Sequence, residues 1–447
     1  MKKLKIAFLG AGSGFVLSVA RELVLDPVFQ DCEFALTDPL PDRLEIAEKL
    51  VRGIFSSREC KNKITVSTSL INDPALEGAD YVVCSCEPKR YSNWYKDLSI
   101  PESFGCYQIT GENGGPGGII HALRNMNIFR EIAEKMEKLC PDAVMMNFTN
   151  PMSFICTYMK NHTKIKTLGF CHQVHGSFGV ISEMLGYPPD ELEVIAAGVN
   201  HLSWLFDVRH KGTRSSCMKE FIEKVMKSRY WNEPLPELSS QIFTLEVLKT
   251  FKMYPVGYDE HIIEYMPFFW EKHEWEQRGV KALTEEYHTL ALKNKHTLEI
   301  QRLWGERVNK PEFPANPGDP YYAENPCRAI VALEKNVPAY FDAINIRNNG
   351  AIGNLPPDVI LDIPGIAVGG EVRSIHVGDL PPGPLEICRR QTVLHEMLTQ
   401  AFHERDGNLV EQIFCLTPYV RSITQARQIW RAYYEEYKEY LPDFHSI

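Results

Sequence analysis

The sequence predicts an α/β fold, a Rossmann-like doubly wound parallel sheet over residues 1–190 followed by an α+β substrate-binding and oligomerisation domain over residues 191–447. Three observations predict it. An apolar run, Lys5 to Leu9, enters the glycine-rich turn Gly10-Ala11-Gly12-Ser13-Gly14. Short apolar runs then alternate with amphipathic stretches up to about Phe170. From about Glu191 the pattern changes to longer strands and long, charged helical stretches.

The first unit is the most informative. Glycines let a backbone turn tightly and approach a pyrophosphate, whose charge rests on the N–H groups that open the next helix, here Val16 to Leu25. The second apolar run, Glu33 to Thr37, ends at Asp38, a carboxylate placed to accept ribose hydroxyls and repel a 2′-phosphate. Gly10, Gly12, Ser13, Gly14 and Asp38 are therefore expected to bind a dinucleotide, NAD in preference to NADP. In the strict glycine spacing the third glycine falls on Phe15, so helix and strand are expected to pack less closely than in the commonest version.

Further strands are expected at Ile64 to Ser67, Tyr81 to Cys86, Ala143 to Phe148 and Thr167 to Phe170, with a helix over Ala122 to Lys138. Ligands of such sheets gather where strands end. In the second domain, proline-rich connections fall at Pro311 to Pro320 and Pro381 to Pro384, and Glu386 to Arg405 and Thr424 to Tyr440 read as amphipathic surface or interface helices.

Composition narrows the function. The 447 residues are 44% hydrophobic and 24% charged, enough for two domains with real cores. A net charge of −10 argues against nucleic acid or an anionic membrane as partner. No apolar stretch approaches the ~20 residues of a membrane span, and the first apolar run is already used as a strand, so a cytoplasmic location is expected. Twelve cysteines without a C-x-x-C pair are expected to be mainly reduced core thiols.

Four strand ends and loops carry unusual polar groups: Thr110 to Gly118, presenting Glu112; Asn147 to Met152; Gly169 to His175; and Gly198 to Trp204. Cys171 and His201 together offer one thiolate and one imidazole, a partial ligand set that leaves coordination positions open, as a catalytic metal requires.

Together these residues resemble the NAD- and manganese-dependent glycosidases of glycoside hydrolase family 4. The likeness is carried by Gly10 to Ser13, Glu112 to Gly118, Asn147 to Met152, Cys171-His172 and Gly198 to His201. It continues through Asp259-Glu260-His261, Glu264 to Pro267 and Asn348 to Pro356. The resemblance implies that Cys171 and His201 hold the metal, that Asn150 and His172 touch substrate, and that Glu112 is the acid. It implies Asp259 as the base, with Tyr258 and Tyr265 as rivals. It also implies a reaction in which the C3 hydroxyl is oxidised by NAD, the C2 proton is removed and the C1 oxygen is eliminated. Water then adds and the ketone is reduced again, so the net result is hydrolysis. Manganese comes from the resemblance, since a Cys/His pair suits zinc equally by softness.

The Cys171-His172-Gln173-Val174 stretch resembles the α-galactosidase, α-glucosidase and uronidase branch, acting on unphosphorylated sugars. Lys89, Arg90 and Arg124 are the cations to watch for a 6-phosphate. A homodimer or homotetramer is implied as well. The rival readings are an NAD-dependent sugar or hydroxy-acid dehydrogenase related to lactate and malate dehydrogenases, and a non-catalytic NAD sensor. The dehydrogenases' His-Gly-Asp-Ser-type loop is missing, with His175-Gly176-Ser177 only a partial imitation, and a sensor would not need Cys171 and His201 together with Glu112 and Asp259.

Overall fold

A computed structural model describes residues 3–57, 60–227, 242–257, 259–267, 274, 276, 282–293 and 326–446. The first half alternates strand and helix: β1 (Leu4–Leu9), α1 (Phe15–Leu23), β2 (Asp31–Thr37), α2 (Pro41–Phe55), β3 (Lys63–Ser69), α3 (Asp73–Leu76), β4 (Tyr81–Cys84) and α4 (Arg90–Ser103). It continues with α5 (Gly115–Leu139), β5 (Val144–Asn147), α6 (Met152–His162), β6 (Lys166–Gly169) and α7 (Gln173–Leu185). These strands pair in parallel in the order β3-β2-β1-β4-β5-β6. β4 is buried along its whole length, as a strand covered by helices on both faces must be. β3, at the edge, is Ser/Thr/Lys-rich and half exposed.

The order reverses beside β1, so a crevice opens at the carboxyl ends of β1 and β4, where doubly wound sheets bind ligands. Every strand-end motif singled out in the sequence lies along this edge.

The second half does not form a separate sheet. β7 (Leu192–Val199) and β8 (Leu202–His210) make a hairpin; α8 (Met218–Lys227), α9 (Ile242–Phe251), β9 (Pro255–Val256) and α10 (Asp259–Tyr265) follow. β10 (Ala339–Arg347) and β11 (Ile360–Val368) then return to the middle of the molecule, and β12 (Glu371–Ser374) pairs with β11. β10 pairs antiparallel with β6 at Asn345 and Gly169, and β11 with β7 at Asp362 and Gly198. One 12-stranded sheet therefore runs through both halves.

The C-terminal helices also cross back. Pro382–Glu404, Gly407–Leu416 and Ile423–Glu436 bury Leu398, Phe414, Trp430 and Tyr433 in the same core as Ile120, Met126 and Phe129 of α5. Their apolar stripes, expected to face a surface or an interface, are met largely within the chain. The Pro311 to Pro320 connection lies outside the described residues. All twelve cysteines are free thiols, and only Cys415 is exposed. Among the described residues no helix is long and apolar enough to cross a membrane.

Candidate active site

Gly10 has φ +82°, and a Cβ there would stand 2.2 Å from the Ser85 carbonyl oxygen at the end of β4, so only glycine fits. Its N–H and that of Ala11 donate to the Thr37 carbonyl. The Asp38 carboxylate accepts from Gly12 N–H at 2.8 Å and from Leu40 N–H at 2.9 Å, so it braces the glycine turn from the end of β2. Ser13 Oγ is buried with no partner among the described residues. Phe15, where a third glycine would stand, packs against Phe148 with ring centroids 5.3 Å apart.

A cavity of about 480 Å³ begins at Gly14 and Phe15 and extends past the ends of β4, β5 and β6. Glu112, Asn150, Cys171, His172 and His201 all line it. Five of the residues chosen from sequence, carried by four separate loops, are thus brought to one space.

His201 reaches it from the two-residue turn between β7 and β8, where its φ is +66°. A non-glycine residue held in that region costs on the order of 1–3 kcal/mol and persists only where its surroundings enforce it. Gln173 Nε2 donates to the His201 carbonyl at 3.0 Å, and the Tyr265 hydroxyl donates to the Asn200 carbonyl at 2.8 Å. Gly257 leaves room for that glutamine, because a Cβ there would fall 2.0 Å from Gln173 Nε2. Burial, and then the nearby His261 and His172, hold the His201 imidazole well below the usual histidine range. The ring is neutral, the form that ligates a metal.

Glu112 sits at the centre. Its carboxylate accepts from Asn150 Nδ2 at 3.1 Å and Asn113 Nδ2 at 3.2 Å, and lies 3.6 Å from His201 Nδ1 and 3.8 Å from His261 Nδ1. The Glu112 carbonyl accepts from His121 Nδ1 at 2.8 Å, which commits that nitrogen to carry a proton. His121 Nε2 faces the Glu87 carboxylate at 2.7 Å. Burial opposes charge on both partners, yet their mutual attraction raises His121 and lowers Glu87.

Asp259, expected to be the base, is engaged by backbone of its own chain. It is buried, and its carboxylate accepts from Phe243 N–H at 3.0 Å, Thr244 N–H at 2.9 Å and Thr244 Oγ1 at 2.8 Å, serving the N-terminus of α9. It does not line the cavity, whereas its neighbours Glu260 and His261 do. Of its rivals, Tyr265 is buried with its hydroxyl on Asn200, and Tyr258 lies outside the described residues.

Sequence reasoning missed roles for His261 and Glu264, although both stood inside a quoted motif. Glu264 Oε1 lies 2.9 Å from His261 Nδ1, and its Oε2 accepts from the N–H groups of Asn113 and Gly114, each at 2.6 Å. The i, i+3 spacing of His261 and Glu264 on α10 was the available signal. Burial disfavours a charge on His261, but the Glu264 bond and the field of Glu112 push it up to about 9.

The model of family 4 glycosyl hydrolases matches residues 5–187, and that of the family 4 C-terminal domain matches residues 196–420. This chain belongs to family 4 of the glycosyl hydrolases. Among family 4 relatives, the α-galactosidase of Rhizobium meliloti is 27% identical, covering 96% of this chain and 87% of that protein. The α-galacturonidase of Thermoanaerobacter italicus is 25% identical over 98% of this chain and 97% of its own. The 6-phospho-β-glucosidase of Thermotoga maritima, solved with manganese, NAD+ and glucose-6-phosphate, superposes with a TM-score of 0.80 at 21% identity, covering 98% of this chain and 99% of that one. That last likeness is one of fold. The α/β architecture and a glycosidase activity are thus family properties of this chain.

Proposed function

We propose that this chain hydrolyses α-glycosides of unphosphorylated sugars, galactosides, glucosides or uronides, with NAD and a divalent metal, manganese, as cofactors. The observation that carries the reading is the single cavity joining the glycine turn to Glu112, Asn150, Cys171, His172 and His201. The residues suit both cofactors. Among the described residues the opening turn of α1, which faces the cavity at Gly14 and Phe15, has no side-chain cap, and the buried Ser13 Oγ has no partner. Neutral His201 and Cys171 are donors for a metal with open positions, and the Asn200 amide beside them is buried with both polar atoms unpaired among the described residues.

When bound, NAD supplies reversible oxidation of a sugar hydroxyl and the metal a Lewis acid for that oxygen. The chain's own groups do the rest. Asn150 and His172 orient the sugar. Glu112, fixed by two amide donors, delivers a proton to the departing C1 oxygen. Removal of the C2 proton falls to Glu260, the carboxylate of its segment that lines the cavity, because Asp259 serves α9.

An unphosphorylated substrate is favoured by the fate of the three cations. Lys89 pairs with Glu439 at the surface, and Arg124 is sealed against Asp97. Arg90 lines the cavity, but so does the Glu87 carboxylate, which opposes a doubly charged phosphate. A homodimer or homotetramer in the cytoplasm completes the reading; light scattering tests the assembly.

The experiment is hydrolysis in heavy water. Chelated, cofactor-free enzyme should be inactive and recover only with NAD and Mn2+ together, and the released sugar should carry deuterium at C2. Full activity without cofactors, or product without deuterium at C2 by NMR, overturns the reading.

A further inference from the structure

We propose that His261 is a protein ligand of the divalent metal alongside His201, and that Glu264 is the buried carboxylate that orients it. This rests on the reading above that the cavity takes such an ion. Glu112, His201 and His261 present ligand atoms within 4.8 Å of one another. The two imidazole rings stand 4.1 Å apart, centroid to centroid, and both line the cavity with Cys171.

The hydrogen bonds at the two rings differ in direction: His201 Nδ1 accepts from the Asn113 amide at 2.8 Å, whereas His261 Nδ1 donates to the Glu264 carboxylate at 2.9 Å. A histidine whose second nitrogen donates to a buried carboxylate is the usual arrangement at a metal centre, because the carboxylate fixes the tautomer and raises the ring's basicity.

Glu264 does this for His261 and also braces the loop beside His201. It is 1% exposed, and its other oxygen holds the N–H groups of Asn113 and Gly114, the loop whose Asn113 side chain engages His201. One carboxylate therefore sets the loop behind one imidazole and the tautomer of the other. The Glu112 oxygens, by contrast, are already engaged by two amides, which suits a group beside the ion rather than one bound to it.

The test uses Mn2+ alone, without NAD or sugar. Pulsed electron paramagnetic resonance of the wild-type protein, with histidine labelled by 15N or left as 14N, counts imidazole nitrogens on the ion. Two are expected in the wild type and in His172→Gln, and one in His261→Gln. Glu264→Gln should weaken Mn2+ binding by roughly 10–100-fold, the usual effect of losing such a partner. One nitrogen in the wild type, or two in His261→Gln, overturns the proposal and leaves the metal reading standing. Absence of Mn2+ binding to the wild type overturns both. Should His261→Gln fail to fold, His172→Gln still decides: two nitrogens support His261, and one overturns it.

Discussion

Arg124 and Asp97 form a two-bond ion pair, at 2.6 and 2.7 Å, with both side chains sealed from solvent. The Tyr437 hydroxyl donates to Asp97 Oδ1 at 2.6 Å, and the Tyr433 hydroxyl to the Asp97 carbonyl. The pair thus ties α5, α4 and the C-terminal helix together behind the cavity wall that carries Arg90 and Trp94. Asp97→Asn leaves a buried guanidinium without its counter-charge and should lower unfolding stability by about 3–5 kcal/mol. Urea denaturation checks this, and a loss below 1 kcal/mol would show the pair to be dispensable.

Glu112→Gln should keep NAD and Mn2+ affinity while kcat falls by roughly 10²–10⁴-fold on alkyl glycosides. A nitrophenyl leaving group departs with less help, so the same substitution should cost less there. Equal losses on both substrates would remove Glu112 from the role of acid.

Glu260→Gln should lose most turnover together with C2 deuterium exchange. Asp259→Ala, which removes the cap of α9, should cost about 1 kcal/mol of stability and leave exchange measurable. Full exchange in Glu260→Gln together with none in a folded Asp259→Ala enzyme would return the base to Asp259.

Asp38 should make the protein bind NAD at least ~10-fold tighter than NADP, because a 2′-phosphate would meet its carboxylate. Calorimetric titration of both nucleotides is the measurement. Equal binding would place the ribose away from Asp38.

Asp362 lies in the middle of the sheet with Ser203 and Asn345 as donors, and burial pushes its carboxyl up to about 7, from an unfolded value near 3.8. Between those two values the native state holds a proton that the unfolded chain has lost, so stability falls as pH rises and levels off above 7. Asp362→Asn should therefore raise the melting temperature at pH 8.5 and change it much less at pH 4. An equal shift at both values would contradict the buried, protonated carboxyl.

The parallel half was legible because each apolar run stops at a glycine or a polar turn, and three of the cavity residues, Asn150, Cys171 and His172, follow from those stops. Where local pattern failed, a distant partner decided the outcome. Gly115 to Gly118 read as loop but form the first turn of α5, where Pro116 needs no N–H partner. Asp259 caps a helix beginning at Ile242, well upstream, and nothing around it in the sequence announces that contact. The register of Asn345 against Gly169, which fuses two expected domains into one sheet, is a long-range pairing with no local signature.

That seam has a consequence for how the protein is made. During synthesis β6 is finished long before Asn345 leaves the ribosome, so its hydrogen-bonding edge stays open while well over a hundred further residues are added. An open strand edge invites pairing with another chain. The nascent enzyme is therefore most exposed to aggregation midway through translation, and β10 ends that vulnerable interval by taking the vacant place beside β6.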